Sequence, residues 1–362
     1  MMKYATGILA ACFICILATT TTIKALQHSS MWSLNGAAGK GWADLTFNIG
    51  DIPTIQNNSI HYNMKALYPL QWTVGQKKKC FAPVKHCQTT PDGYFNCITI
   101  DPNYKQSWKE QFEKIKPLID KGNIIGIFLG DEHLYFGVTL AEIKLIADLI
   151  RLSWPEAIIY MNDAPDPASC NYDKQNRTVF AENECLPVNV DWFGFDFYSQ
   201  DSSSWVVQEQ AYKNMVYPRL SRSDQRVVPV SGGWSSGSLT AMQAKALDTF
   251  CTTNAREFFQ FGLRDNRVVA LFPFYWNGGA VNNKNGSITG AAGIKNLPNC
   301  KATYEGMGKI ILAAGKDGTS QDPAHNPPKP DENGVFIEPK CMTPIVPPPD
   351  TWAWCRRTNT GK

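Results

Sequence analysis

Residues 124–161 read IIGIFLGDEHLYFGVTLAEIKLIADLIRLSWPEAIIYM, and this stretch decides the fold class. Ile124 to Leu129 is a short unbroken apolar run, the pattern of a strand buried on both faces. From Thr139 to Ser153 the apolar residues Leu140, Ile143, Ile146, Ala147 and Ile150 recur at helical spacing on one face. Thr139 is placed to cap that helix, and Pro155 marks its stop. Ile158 to Met161 then starts a second strand. Strand, helix, strand predicts two parallel strands joined by a helix that packs on the sheet.

The same alternation extends in both directions. Tyr104–Gly122 precedes the unit as a helix. Asp191–Tyr198 and Arg226–Val230 follow as strands, with a helix over Val206–Leu220 between them. Leu239–Gly262 is a long helix, Arg267–Trp276 a strand and Ala302–Ala314 a last helix. Upstream, Ala43–Ile49 and Lys65–Trp72 are strand candidates, and Tyr94–Ile100 supplies the eighth. Eight strands within about 35–317 fit the ~250 residues of a (β/α)8 TIM barrel with insertions. The predicted fold class is therefore α/β, a (β/α)8 barrel over residues 26–320; a doubly wound open sheet is the alternative. Nine of the 23 prolines fall between Pro323 and Pro349. Residues 321–362 thus read as a proline-rich tail, an extended linker or surface wrap.

Composition narrows the function. The 362 residues carry 35 Lys and Arg against 32 Asp and Glu, a formal net charge of +3. That balance excludes a nucleic-acid binder built on phosphate neutralisation. Residues 1–25 read as a secretory signal peptide: Lys3 supplies the positive start, and Ile8–Ala18 is an apolar run of 11 residues. That run falls short of the ~20 needed to span a bilayer; a retained signal anchor is the alternative. No other stretch is long enough to cross a membrane. Eleven cysteines are present, two of them, Cys12 and Cys15, in the leader. Secretion predicts disulfides among the other nine, with Cys170–Cys185 and Cys341–Cys355 as the expected pairs and a third among Cys80, Cys87 and Cys97. Asn57, Asn176 and Asn285 each begin an Asn-x-Ser/Thr sequon and are the expected glycosylation sites. The chain is expected to be a secreted, extracellular glycoprotein.

In a parallel barrel, chemistry collects at the carboxyl ends of the strands. There the sequence places Asn48 and Asp51, Gln71 and Trp72, Asp131 and Glu132, Asn162 and Asp163, Asp196 and Tyr198, Ser231 and Trp234, and Tyr275 and Trp276. Carboxylic acids protonate a glycosidic oxygen and stabilise an oxocarbenium-like state, and aromatic faces stack on sugar rings. Asp131-Glu132 is the sharpest element. Two adjacent acids after a buried strand raise one another's pKa or are raised by burial, as a general acid requires. Asp196 and Tyr198 alternate along their strand and face the same way. The expected catalytic residues are Glu132, Asp131 and Asp196. Tyr198, Trp276, Asn162, Trp234 and Tyr275 are expected to bind substrate.

On these residues the chain resembles the (β/α)8 glycoside hydrolases. Asp131-Glu132 is similar to the Asp-Glu pair of the family 20 hexosaminidases, in which the Asp orients the substrate's 2-acetamido group and the Glu is the general acid. Ile127 stands where that family has His, and Leu129 where it has Gly. Barrel hydrolases of the Glu/Glu clan also place an acid Glu after strand four, with a second Glu after strand seven. Ser231-Gly232-Gly233-Trp234 offers no such acid. The resemblance implies a glycan or glycoconjugate substrate, with no cofactor and no metal. A non-catalytic carbohydrate-binding barrel is the first alternative. A serine esterase is the second, because Gly233-Trp234-Ser235-Ser236-Gly237 matches the G-x-S-x-G nucleophile elbow, with His325 the one later histidine. Asp131, Glu132 and His133 as metal ligands make a third.

Overall fold

A computed structural model describes residues 28–29, 47–49, 51–62, 65–78, 95–134, 138–163, 185–197, 209–210, 212–274, 278–313 and 326–338. Its centre is a six-stranded sheet, parallel throughout, formed by β2 (Phe47–Ile49), β3 (Lys65–Pro69), β6 (Ile124–Asp131), β7 (Ile158–Asp163), β8 (Trp192–Phe197) and β9 (Arg226–Ser231) in that spatial order. The row continues beyond β9. Val227 and Gly232 make parallel bridges to Val268 and Phe274. Within that next segment, β10 (Ala270–Leu271) pairs in parallel with β1 (His28–Ser29). Helices α1 (Ile52–Tyr62), α2 (Tyr104–Asp120), α3 (Leu140–Ser153), α4 (Ala241–Arg264) and α5 (Pro298–Ala313) connect or follow the strands.

The two faces of the sheet are covered differently. On one, Ile127, Ile159, Phe193 and Val227 pack against Ile115 and Leu118 of α2, Ile143, Ile146 and Ile150 of α3, and Phe258 of α4. On the other, a second buried cluster joins Ile49, Leu67, Phe128, Tyr160, Trp192, Val230 and Phe272. Every member of that cluster belongs to a strand segment and none to a helix. The rings of Tyr160 and Phe272 meet edge to face with centroids 5.4 Å apart. Those residues stand three strands apart, ~14 Å in a flat sheet. The sheet is therefore strongly curved, and this face is its concave side.

The structure corrects several expectations. Tyr94–Ile100 is not a member of the parallel sheet: β5 (Phe95–Ile100) pairs antiparallel with β4 (Thr73–Lys78) in a separate two-stranded ribbon. The ribbon satisfies its own hydrogen bonds, and Asp101 N donates to Trp72 O at 2.9 Å to close its neck. It is thus an excursion in the β3-to-α2 connection, and the two-residue β1 occupies the remaining place in the parallel row. Residues 212–219 form a π turn followed by a 3-10 turn, not the regular helix expected over Val206–Leu220. Pro218 sits there, and its missing N–H interrupts an α-helical ladder. Helix α5 begins four residues before the expected Ala302. Asp248 of α4 supplies its cap, accepting from the backbone N–H of Asn299 at 3.2 Å and of Cys300 at 2.8 Å.

Cys251 and Cys300 form a disulfide that ties α4 to α5, with Cα atoms 5.5 Å apart. The sequence reading did not pair them. Cys185 is also disulfide-bonded, while Cys80, Cys87, Cys170, Cys341 and Cys355 lie outside the described residues. The Cys251–Cys300 bridge closes a 49-residue separation, and a cross-link of that span stabilises by about 2–4 kcal/mol. Replacing both cysteines with Ala is expected to lower the unfolding free energy by that amount, measured by chemical denaturation. An unchanged midpoint and slope would show that the bridge contributes nothing.

Residues 326–338 run without regular structure against the domain. Asn326 N donates to Asp224 Oδ2 and Val188 N to Glu338 Oε2, each at 2.9 Å. Phe336 is buried. Among the described residues no helix is long and apolar enough to cross a membrane.

Candidate active site

Because β6 to β9 run parallel, their carboxyl ends share one edge of the sheet. Strand β6 reaches that edge through an irregularity. Phe128 pairs with Tyr160, but the next pairing is Asp131 with Asn162, so three residues of β6 oppose two of β7. Strict alternation would send Asp131 to the face opposite Phe128; the extra residue returns it to the concave face beside Asn162.

Asp131 and Asn162 act as a pair. The Asn162 amide donates to Asp131 Oδ1 at 2.7 Å. Asn162 is 1% exposed, and its amide holds the Asp131 carboxylate. Its Oδ1 lies 3.5 Å from the Tyr160 hydroxyl. On the next strand, Gly194 is in register with Asn162. A Cβ there would lie 2.3 Å from both Asn162 Oδ1 and the Tyr160 hydroxyl, so glycine is what leaves room for the pair. Burial raises the Asp131 carboxyl above the ordinary range, and the Asn162 hydrogen bond opposes that rise.

Glu132 follows immediately and is half-buried. Its backbone has φ 53°, alone in the left-handed region among the described non-glycine residues. Its N–H donates to Asn162 O at 3.0 Å. Such a conformation costs about 1–3 kcal/mol and persists where the surroundings enforce it. Here the enforcement comes from both sides. The Trp72 indole N–H donates to Leu129 O at 2.5 Å. Leu134 N donates to Asp163 Oδ2 at 2.9 Å, and Asp163 is itself buried. His133 folds beneath the turn, its ring 5.2 Å from that of Trp72.

Other expected site residues fall as follows. Asp196 lies near the end of β8, in register with Val230; its side chain is outside the described residues, as are Tyr198, Tyr275 and Trp276. Trp234 lies three residues past β9, half-buried, with its ring edge-on to Phe274 at 5.5 Å. Ser231, the last residue of β9, is hydrogen-bonded through its hydroxyl to that of Tyr304 at 2.6 Å. Some strand-end polar residues serve the fold alone: Asp51 caps α1 through Thr54 N at 3.0 Å, and Gln71 exchanges hydrogen bonds with Gln111.

Ser235 does not stand on a nucleophile elbow. It sits in an antiparallel bridge to Ala292, and its hydroxyl is bonded to the backbone of Gly237. The elbow demands a sharp strained strand-to-helix turn at the serine, and no left-handed backbone occurs there. Among the described residues, no group of three or more His, Cys, Asp or Glu side chains is arranged to hold a metal ion. Of the sequons, Asn57 is exposed on α1, and Asn285 is exposed in a turn where it accepts from Ser287 N at 3.0 Å. Asn176 lies outside the described residues.

The raised Asp131 carboxyl has a sign-definite consequence. A carboxyl whose folded pKa exceeds its unfolded value of about 3.9 resists ionising in the fold. Its penalty is absent at low pH and appears as pH rises through that unfolded value, reaching its full size above the folded pKa. Asp131→Asn removes the ionisation while keeping an acceptor for Asn162. The variant is expected to melt higher than wild type near pH 7 and to lose that advantage below about pH 4. Parallel thermal melts across pH check this; an advantage that grows on acidification would contradict it.

No protein-family model matches the chain, and no curated protein sequence matches it. Solved structures that align with it include a GH128 (subgroup VI) exo-β-1,3-glucanase from Aureobasidium namibiae, at 13% identity over 72% of this chain and 87% of that chain, with a TM-score of 0.39. A GH10 xylanase from Thermobacillus composti aligns at 8% identity over 78% of this chain and 98% of that one, TM-score 0.43. A GH5_18 protein from Bifidobacterium longum subsp. infantis aligns at 10% identity over 87% and 85%, TM-score 0.43. At TM-scores below 0.5 these alignments assign neither a family nor an activity to this chain.

Proposed function

We propose that this chain is a secreted glycoside hydrolase whose curved parallel sheet closes as a (β/α)8 barrel. In this reading Glu132 is the proton donor to the leaving glycosidic oxygen, and Asp131, held by Asn162, positions the substrate. The observation that carries it is the left-handed backbone of Glu132 at the carboxyl end of β6, directly after a half-buried acid whose carboxyl is raised by desolvation. Strain of this kind is stored where a side chain must be aimed. If the barrel closes between β1 and β2, β6 is its fourth strand, the place where barrel hydrolases of the Glu/Glu clan carry their acid.

The row of parallel segments and the helix-free concave core support closure of the barrel between β1 and β2. The leader, the Cys251–Cys300 disulfide and the exposed sequons at Asn57 and Asn285 support secretion. Asp196 is the proposed second carboxylate, with Tyr198, Trp234, Tyr275 and Trp276 as the sugar-facing groups.

One observation favours a second reading. The carboxyl end of β9 carries Ser231, Gly232, Gly233 and Trp234, and no acid. Without a second carboxylate the same cleft binds a glycan and leaves it intact. The test is incubation of the wild-type protein with a panel of natural glycans, with chromatographic product analysis alongside binding titrations. Cleavage of at least one glycan is the expected result. Tight binding of a glycan that is never cleaved replaces the hydrolase reading with that of a carbohydrate-binding protein.

A further inference from the structure

We propose that His133 is the positioning residue for Glu132, its imidazole holding the strained turn that aims the acid. This assignment rests on the reading of Glu132 as proton donor.

The geometry is specific to the imidazole. His133 Nδ1 lies 3.1 Å from the main-chain oxygen of Asp131. A carbonyl only accepts, so Nδ1 carries the proton and donates. That bond spans Glu132 from behind: the residue before it is held through its carbonyl by the side chain of the residue after it. The ring reaches this place because Gly130 makes way. Gly130 has φ 140°, and a Cβ there would lie 2.3 Å from His133 Cε1 and Nε2. On another side the ring meets Trp72 at 5.2 Å. The main chain of His133 is also fixed, its carbonyl accepting from Val138 N at 3.0 Å.

Beside the ties of Glu132 N to Asn162 O, of Trp72 to Leu129 O and of Leu134 N to Asp163, His133 supplies the one that depends on a side-chain donor within the turn itself. Burial lowers the pKa of His133, and backbone hydrogen bonds to Asp131 and Leu129 oppose that fall. Loss of that donor takes this partner from the Asp131 carbonyl and frees the turn to relax toward ordinary φ, which swings the Glu132 side chain away from its aim.

The test uses three variants and two substrates. His133→Phe keeps a ring against Trp72 and removes the donor. His133→Asn puts an amide N–H near the place of Nδ1, whereas His133→Gln carries its amide one carbon further out. On a natural glycan, His133→Phe and His133→Gln are expected to lose about 10²-fold in kcat, the scale of a small misplacement of a catalytic group. KM is expected to stay within a factor of about three, because substrate-binding groups are untouched. An aryl glycoside with an activated leaving group needs little protonation and is expected to lose far less. His133→Asn is expected to recover most of the rate. The Asn and Gln pair decides the matter even where the Phe variant does not fold. Wild-type kcat in His133→Gln, equal losses on both substrates, or no recovery in His133→Asn would each overturn the assignment. Cleavage by wild type that is abolished in Glu132→Gln but unaltered in the His133 variants overturns the role of His133 alone. Absence of cleavage by wild type overturns the reading of Glu132, and this one with it.

Discussion

Glu132→Gln is expected to slow hydrolysis of natural glycans by about 10²–10⁴-fold, the usual worth of a positioned general acid. Gln keeps the length and shape of the side chain and the same left-handed backbone, so the fold and the aim of the residue are retained. What disappears is the transferable proton. The loss falls on substrates whose leaving alcohol must be protonated. Aryl glycosides with activated leaving groups are expected to be slowed much less, since their departure needs little proton transfer. Steady-state kinetics on both substrate types measure this. Equal rates for the variant and wild type on a natural glycan would remove Glu132 from the mechanism.

The second large effect concerns stability and arises at the opposite edge of the sheet. Asp191 precedes β8 and is 1% exposed. Its Oδ2 accepts from Arg151 at 2.5 Å and from Ile159 N at 2.8 Å, and its Oδ1 from Arg222 at 2.9 Å. Arg151 is equally buried and also donates to the carbonyls of Pro155 and Ala157, at 2.6 and 2.7 Å. The network pins the end of α3 to the amino ends of β7 and β8. Asp191→Ala leaves the Arg151 guanidinium buried without its carboxylate, and breaking such a pair costs about 3–5 kcal/mol. Chemical denaturation is expected to show that loss. Arg151→Met in the Asp191→Ala background is expected to return part of it, because no unpaired buried charge remains. A loss under about 1 kcal/mol in the single variant would mean that water reaches Arg151 and compensates it.

The elements that the sequence discloses are those whose signals are local. Helix α3 is an example: Thr139 accepts from Glu142 N at 3.2 Å and Glu142 answers at Thr139 N at 2.8 Å, a capping box written within four residues. The apolar runs of β6 and β7 are equally self-contained. Features that depend on distant partners were not legible. The start of α5 is capped by Asp248, some fifty residues upstream. The Cys251–Cys300 bridge joins two helices, whereas sequence spacing favours local pairs. Strand β1 has two residues, His28 and Ser29, and no apolar pattern to declare it. Tyr94–Ile100 has a genuine strand pattern, but a pattern does not say which partner a strand takes.

The site divides in the same way. The acid pair is legible because two carboxylic acids after a buried strand are costly without a purpose. The direction of Asn162 is not, since it depends on the register irregularity between Phe128 and Asp131. Nor is the role of Gly194, whose only signal is a missing Cβ on a neighbouring strand. His133 reads in sequence as a possible metal ligand. Its place beneath the turn emerges only with Gly130 and Trp72 around it.

The most direct test of the central claim is the pH dependence of kcat/KM on one natural glycan, measured for wild type and Glu132→Gln across the full stable range. A general acid must hold its proton to act, so wild-type activity is expected to fall on the alkaline side as the acid ionises. In Glu132→Gln the residual activity is expected to lack that alkaline fall, because the variant has no proton to lose at this position. An alkaline limb that persists unchanged in Glu132→Gln would contradict the account, placing the proton donor on another residue.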